Sequence, residues 1–387
     1  MRHDDQQSRW LTFLAVASSV VLVGLALGVS LPLVSLRLEA QGYGSFAIGV
    51  MAAMPAVGTL LGARLSGYLS ARLGGPRSVQ LSLLVSAVAV GLLSWLPHYS
   101  VWLVLRLALG ICLTVTFVLG ESWINQLAEE HYRGRWVALY GTGFALSQLA
   151  GPLLLALLGT QTDIGFHLSA ALLLVGVLFL LGRGGAPVVE ANAAIGRGLL
   201  GFARQLPALA WAVVLFACFE SMVLTLLPVY ALQQGFTEAV ALTIVSVVVI
   251  GDACLQLPIG WLADRVSRTR LYQISGGVLL LTCLSLPWVL HSWLLWPWLV
   301  LFGASAGGLY TLSLILIGER YRDAALVRAN AHIAMLWGVG ALIGPTSTGA
   351  ASQWLSGHAL PWLLAAGAAF FLYLLWRYPL FATRDAA

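Results

Sequence analysis

Five ionisable side chains lie inside long apolar stretches of this 387-residue sequence, where no water is at hand to solvate a charge. A carboxyl group in such a low-dielectric surrounding favours its neutral form, so it can take up and release a proton as its access to water changes. Glu220 is the main candidate for this chemistry, and Asp252 and Glu121 are secondary candidates. The two cations of the set are Arg64 and Arg106. Each charge costs on the order of 3 kcal/mol at the centre of a membrane helix, which indicates a function.

The elements that hold these residues are predicted to be membrane-spanning helices. The sequence is 60% hydrophobic and 9% charged, with a mean hydropathy of +0.90, whereas an ordinary soluble domain is about 25% charged. Such a chain needs a bilayer as part of its solvent. Hydropathy predicts twelve spans, at 11–35, 46–66, 78–97, 101–124, 136–158, 166–182, 208–232, 239–262, 271–290, 293–316, 329–350 and 360–380. The predicted fold class is an all-α membrane protein.

The arginines predict how these spans are oriented. The net charge is +5 and the sequence contains no lysine, so all 20 basic residues are arginines. With the N-terminus inside, every arginine except Arg37, Arg64 and Arg106 falls in an inner segment. The positive-inside rule then predicts a bacterial inner-membrane protein with both termini in the cytoplasm. Because there is no basic stripe or stacking platform, the positive charge does not indicate a nucleic-acid partner.

A phrase with the skeleton Gly-x-Leu-x-x-Arg occurs twice, beginning at Gly67 and at Gly260, 193 positions apart. The same separation joins further identical residues that did not define it, and no gap is needed. They are Gln41-Gly42 with Gln234-Gly235, Gly58 with Gly251, Trp95 with Trp288, His98 with His291, Gly110 with Gly303, Arg135 with Arg328, and Gly151-Pro152 with Gly344-Pro345. An even number of spans separates the copies, so the sequence predicts two parallel six-helix repeats.

The repeats define the predicted domains. Residues 1–182 form an N-terminal six-helix bundle and residues 208–387 a C-terminal one, related by a pseudo-two-fold axis. Residues 183–207 are predicted to be a cytoplasmic linker, and their glycines and alanines favour flexibility. Within the bundles, the paired glycines are expected to let helices approach closely.

Twelve spans in two parallel repeats, with Gly-x-Leu-x-x-Arg after spans 2 and 8, resemble the major facilitator superfamily over nearly the whole chain. Arg106 and Gly110 match the Arg-x-x-x-Gly pattern of that family in span 4. Gly143, Gly151 and Pro152 resemble the span-5 motif of antiporter branches of the family. The pair Glu121-Ser122 resembles the YcaD-like bacterial members. The resemblance implies the fold of that family and transport by alternating access.

The resemblance also implies a gating role for the repeated phrase. The gating set comprises Gly67, Arg72, Gly260, Asp264 and Arg265, with Arg133, Arg135 and Arg328 as neighbouring cations. Asp264 can accept hydrogen bonds from a helix N-terminus and attract arginines, which would hold the inner side closed. The first copy has Ala71 where the family usually has Asp, so asymmetric gating is predicted. The alternative is a basic loop that only sets topology.

By the same resemblance, Glu220 lies at the middle of a cavity-lining helix, span 7. Asp252 lies at similar depth on the next span, so the charges of the two carboxyls are expected to interact. The predicted substrate cavity further takes in Arg106, Phe117, Gln148, Phe219, Tyr310 and Trp337. The alternatives are that the aromatic residues are packing, and that Arg64 and Arg106 extend to the headgroups.

Enzymatic motifs are lacking in the sequence. It has no phosphate-binding loop, no G-x-S-x-G elbow and no cluster of metal ligands, so we predict no catalytic residue, metal or cofactor. The favoured interpretation is a monomeric secondary transporter that exports a small, amphipathic molecule in exchange for protons. The alternatives are a proton-coupled importer or a facilitator of a polar nutrient or siderophore, and, more remotely, a membrane sensor or scaffold.

Overall fold

The computed structural model describes residues 2–127, 133–182, 198–263, 265–352 and 357–378, and these contain helices and their connections but no β-strand. The first seven helices are α1 (Arg2–Ala40), α2 (Ser45–Leu73), α3 (Gly75–Trp95), α4 (Tyr99–Leu127), α5 (Arg133–Leu158), α6 (Ile164–Leu180) and α7 (Leu199–Gln205). The others are α8 (Pro207–Thr225), α9 (Leu227–Gln233), α10 (Glu238–Ala263), α11 (Arg268–Val289), α12 (Leu295–Arg320), α13 (Asp323–Ala351) and α14 (Ala359–Arg377). The described residues are therefore all-α, as predicted.

The predicted spans correspond to α1–α6, to α8 and α9 together, and to α10–α14. Among the described residues, ten helices are long and apolar enough to cross a membrane. Of the two further helices at predicted spans, α6 is apolar but has 17 residues, and α10 has 26. Several helices exceed the predicted spans, most of all α1, which begins at Arg2 rather than at residue 11.

The predicted seventh span is two helices rather than one. Helix α8 ends at Thr225, and α9 begins at Leu227. Pro228 lies in the first turn of α9, where its missing backbone N–H removes a hydrogen bond that a continuous helix would make. The break at Leu226 follows six residues after Glu220, so the main candidate acid lies close to an interruption of its own span.

The helices group into two compact units. The first comprises Met1–Gln41 and Met54–Ala193, and the second comprises Gly42–Ala53 and Ala194–Ala387. The start of α2 thus groups with the second unit, whereas the sequence assigned it to the N-terminal bundle. Glycine explains this association, because a Cβ atom on Gly349 of α13 would lie only 3.0 Å from the Cα of Phe46. The predicted division of the chain at residues 183–207 stays a prediction.

Part of the predicted linker is helical. Residues 199–205 form α7, and the side chain of Phe202 is buried in the second unit. Its ring centroid lies 5.2 Å from that of His332 in α13 and 6.5 Å from that of Tyr321. Burial of this ring holds α7 against the second unit. The flexibility predicted for residues 183–197 concerns residues outside those described.

Glycines at the 193-residue spacing make the same helix crossing in each unit. In the first unit, a Cβ atom on Gly110 of α4 would lie 2.7 Å from the Cα of Pro55 in α2. In the second, a Cβ atom on Gly303 of α12 would lie 2.9 Å from the carbonyl carbon of Val248 in α10. Val248 is 193 positions beyond Pro55, so the contact is repeated as well as the glycine. The reciprocal contacts are Gly58 with Leu107 and Gly251 with Val300.

Candidate functional site

Helix α8 carries the central acidic residue of the second unit. Glu220 is 13 residues from Pro207 and 13 from Gln233, so it lies at the middle of the segment formed by α8 and α9. Its side chain is half-buried, and its Oε2 accepts a hydrogen bond of 3.1 Å from Nε1 of Trp337 in α13. The indole can donate this bond but carries no charge, so it orients the carboxylate without neutralising it.

A second carboxyl lies beside Glu220. Asp252 of α10 is near enough for the charges of the two groups to repel each other. A Cβ atom on Gly307 of α12 would lie 2.9 Å from the Asp252 Cγ, so the glycine provides the space that this carboxyl occupies. Two interacting carboxyls bind protons as a coupled pair rather than independently.

Aromatic rings pack against one another on α8 and α12. The rings of Tyr310 in α12 and Phe216 in α8 stack with centroids 4.6 Å apart, and those of Phe219 and Phe302 meet edge-on at 4.9 Å. Phe216 and Phe219 are buried in the core of the second unit. The members that keep exposed surface, which we call the acidic–aromatic cluster, are Glu220, Asp252, Tyr310 and Trp337.

Arg106 is the buried cation of the first unit. Only 1% of its surface is exposed, and its Nε and Nη2 atoms have no hydrogen-bond partner among the described residues. The interpretation that Arg106 extends to the headgroups is therefore wrong, because the guanidinium is enclosed by protein. Arg64 of α2, in contrast, is exposed and compatible with that interpretation. A buried guanidinium with free donors favours an acceptor such as a carboxylate.

The other candidates of the first unit lie on α4 and α5. Glu121 is exposed on α4 and lies near Tyr140 of α5, with which it interacts electrostatically. Phe117 meets Phe144 edge-on, with ring centroids 5.3 Å apart, and Gln148 is half-buried. These candidates belong to the first unit, whereas the acidic–aromatic cluster belongs to the second.

The arginines of the repeated phrase pack on aromatic rings one helical turn earlier. The guanidinium carbon of Arg72 lies 4.6 Å from the ring centroid of Tyr68, and that of Arg265 lies 3.8 Å from the ring of Trp261. Both rings are exposed, so the same cation–π pair occurs on the surface of each unit. Gly67 and Gly260 lie in α2 and α10, Arg133 and Arg135 in α5, and Arg328 is exposed on α13. Asp264 lies outside the described residues.

Two ion pairs were not predicted from the sequence. Arg268 at the start of α11 pairs with Glu319 in the last turn of α12, and Arg37 pairs with Asp163 at 2.8 Å. Both join segments far apart in sequence, and no spacing rule reveals such pairs. Phe216 was also missed, although its position four residues before Glu220 puts both on one helix face and could have indicated it.

A repeated helix crossing and two carboxyls within long apolar helices define a polytopic α-helical membrane protein with an internal repeat. The chain matches the family model described as Major Facilitator Superfamily over residues 16–251 and 209–385. It belongs to this family. The protein is therefore a multi-pass membrane transporter of a small molecule and not an enzyme.

Relatives and solved structures agree with this assignment. The chain is 26% identical to an uncharacterized MFS-type transporter YcaD of Escherichia fergusonii over 359 residues, which cover 92% of this chain and 93% of the relative. It is 28% identical to an uncharacterized MFS-type transporter of Enterobacter sp. over 369 residues, or 94% of each chain.

Two solved transporters share the fold. The nucleoside transporter NupG superposes with a TM-score of 0.78 at 15% identity and covers 97% of this chain and 100% of its own. A D-xylose-proton symporter superposes with a TM-score of 0.76 at 16% identity, over 95% and 97% of the two chains. At these identities the likeness establishes the fold alone.

Proposed function

We propose that this protein is a secondary active transporter that exports a small, amphipathic molecule across the bacterial inner membrane in exchange for protons. Glu220 and Asp252, two carboxyls in the apolar helices α8 and α10 whose charges repel each other, carry the proposal, because the hydrogen-bond donor to Glu220 is an indole and not a basic side chain. A carboxylate at that depth must be protonated, paired or wetted. Its charge then depends on which side of the membrane the site is open to, and this dependence couples protons to transport.

A second candidate function is proton-coupled import, or facilitated movement, of a polar nutrient or siderophore. One solved protein that shares the fold is a D-xylose-proton symporter, so the fold is compatible with this alternative. The same carboxyl pair serves either direction, since direction depends on the gradients and on which open state binds the substrate more tightly. A sensor or scaffold that transports nothing is disfavoured, because it would have no use for carboxyls that are costly to place in apolar helices.

The test begins with a thermal-shift screen of the purified protein against drugs, sugars, amino acids, siderophores and lipids, because a ligand of the folded state raises its melting temperature. The stabilising compound is then added to proteoliposomes that contain a pH-sensitive dye. We expect protons and substrate to move in opposite directions. Movement in the same direction would establish the import mechanism, and substrate flux without proton flux would contradict coupling.

Both termini are expected in the cytoplasm, because the arginines lie almost entirely in the inner segments of the predicted topology. Green fluorescent protein fused after Ala387 should fluoresce, and alkaline phosphatase at the same place should be inactive. Fusions truncated after Ser292, between α11 and α12, provide the opposite control. An active phosphatase at the C-terminus would contradict the topology.

For the repeated phrase, we expect Asp264→Asn to favour the inward-open state and Ala71→Asp to favour the outward-open state. The first substitution removes an acceptor that can hold the inner side closed, and the second adds one. Each should shift the free-energy difference between the two states by about 1–2 kcal/mol. The measurement is thiol labelling of single cysteines at the two mouths of the cavity, in a background without the four native cysteines. Unchanged labelling in both variants would leave the phrase with only its topological role.

A further inference from the structure

Helix α2 is divided between the two compact units, although its backbone is helical throughout. Its first part, Ser45–Ala53, groups with the second unit, and its second part, Met54–Leu73, groups with the first unit. Pro55 lies in the helix interior, directly after this boundary. A proline has no N–H to donate to the carbonyl four residues earlier, here that of Met51, so the helix is weakened there. The weak point of α2 thus coincides with its change of unit.

The first part of α2 is packed tightly on α13. A Cβ atom on Gly49 would lie 3.1 Å from the carbonyl carbon of Pro345 and 3.3 Å from the Cα of Gly349. A Cβ atom on Gly349 would in turn lie 3.0 Å from the Cα of Phe46. Both glycines are buried, so the two backbones meet with no side chain between them. The start of α2 is therefore held by the second unit.

The second part of α2 is packed just as tightly on α4. A Cβ atom on Gly58 would lie 2.7 Å from the backbone nitrogen of Ile111, and one on Gly62 would lie 3.1 Å from the Cα of Ile111. Both glycines are buried. One helix is thus fastened by glycines to α13 before Pro55 and to α4 after it.

The second repeat lacks this arrangement. At the separation of 193 residues, Pro55 corresponds to Val248 and Gly49 to Leu242, and the whole of α10 groups with the second unit. Val248 nevertheless makes the same close crossing, with Gly303 of α12, that Pro55 makes with Gly110. A proline is therefore not needed for the crossing itself, and another reason must account for Pro55.

We propose that α2 bends at Pro55 when the transporter changes conformation, so that Ser45–Ala53 moves with the second unit and Met54–Leu73 with the first. If the units change position, a rigid α2 has to give up its contacts with either α13 or α4. A bend at Pro55 preserves both sets of contacts. The helix α10 is expected to move as part of one unit, so the two repeats respond differently. This proposal does not depend on the direction of transport or on the coupled ion.

The weakened backbone is tested by hydrogen–deuterium exchange of the full chain in lipid nanodiscs. The amides of residues 50–58 are compared with those of residues 243–251, the matched segment of α10. We expect exchange in the first segment to be about two- to tenfold faster, the factor that corresponds to one lost hydrogen bond. Pro55→Val, which introduces the residue of the matched position, should slow it to the rate of the second segment. Equal exchange of the two segments in the original protein would overturn the proposal.

The movement is tested by distances between pairs of spin labels, in a background without the four native cysteines. The labels replace exposed side chains: Phe46 in the first part of α2, Trp95 in the first unit and Trp293 in the second. The pair 95–293 reports movement between the units at acidic and neutral pH and in the Asp264→Asn and Ala71→Asp variants. We expect the 46–95 distance to change with this reference pair and the 46–293 distance to stay constant.

Two results would overturn the movement. One is a constant 46–95 distance with a changing 46–293 distance, because α2 would then move as one piece with the first unit. The other is a reference distance that stays the same in every condition, because the units would then have no movement for α2 to follow. Both measurements are made with Pro55 intact, so they decide the proposal even where Pro55→Val does not fold.

A pair of substitutions assigns the bend to Pro55. Pro55→Val should reduce the change in the 46–95 distance, because the restored hydrogen bond stiffens α2. Pro32→Val is the matched control: it also removes a proline from a helix interior, but Pro32 lies in α1, within one unit. The control should leave the change in the 46–95 distance as it is in the original protein. An undiminished change in a folded Pro55→Val variant would overturn the role of Pro55.

Discussion

Glu220→Gln is expected to reduce proton-driven transport to the level of protein-free vesicles while the protein stays folded. The amide has nearly the shape of the carboxyl, and its oxygen can still accept the Trp337 hydrogen bond of 3.1 Å. What is lost is the ability to bind and release a proton, so the site is held in its neutral state. Binding of a neutral substrate should survive this change and should no longer depend on pH.

The measurement is flux of the stabilising compound in proteoliposomes under an imposed pH gradient, with and without a proton uncoupler. Glu238→Gln is the control, because it removes a carboxyl from the first turn of α10 and not from its middle. If the Glu220→Gln variant still accumulates the compound against its gradient with normal uncoupler sensitivity, Glu220 is not the coupling residue. Asp252 or Glu121 would then be the candidates. The same test then applies to Asp252→Asn and Glu121→Gln, and unchanged flux in all three would favour a facilitator.

Gly303→Ala is expected to lower the melting temperature of the detergent-solubilised protein by several degrees. The added methyl group would meet the Val248 carbonyl oxygen and lie 2.9 Å from the Asp252 backbone nitrogen. Backbone atoms cannot rotate away, so α10 and α12 must separate, and overpacking of this kind costs about 1–3 kcal/mol. Because the displaced backbone includes Asp252, proton-coupled flux should fall as well.

Gly318→Ala provides a matched control in the same helix. A Cβ atom there would meet nothing within 4 Å, so the substitution should leave the melting temperature unchanged or raise it slightly through the better helix propensity of alanine. In the first unit, Gly110→Ala should repeat the loss seen for Gly303→Ala, because Gly110 meets the Pro55 backbone in the same way. Equal melting temperatures for Gly303→Ala and Gly318→Ala would contradict the close helix crossing.

Local sequence patterns predicted those features that depend on residue type and spacing alone. The class of membrane protein followed from composition, because a chain with 9% charged residues cannot bury its apolar surface without a bilayer. The helix crossings followed in part from the repeat, since Gly58 and Gly251, and Gly110 and Gly303, share one spacing. The carboxyls at positions 220 and 252 stood out for a similar reason, because a charge is rare and costly in an apolar helix.

The partners of each side chain depended on the tertiary structure, because they lie more than a hundred residues away or on faces that no periodicity identifies. Trp337 is 117 residues from the Glu220 that it contacts. The sequence allows Arg106 to extend to the headgroups, but the packing of the first unit encloses its guanidinium in protein. The break at Leu226 and the helix at 199–205 were likewise missed, since hydropathy averages over a window and does not register a single interrupted backbone hydrogen bond. The sequence by itself thus determined the membrane class, and it predicted the duplication and the carboxyls that are proposed to carry a proton. The packed helices decided which of those residues meet, because contacts between distant segments form only when the chain folds.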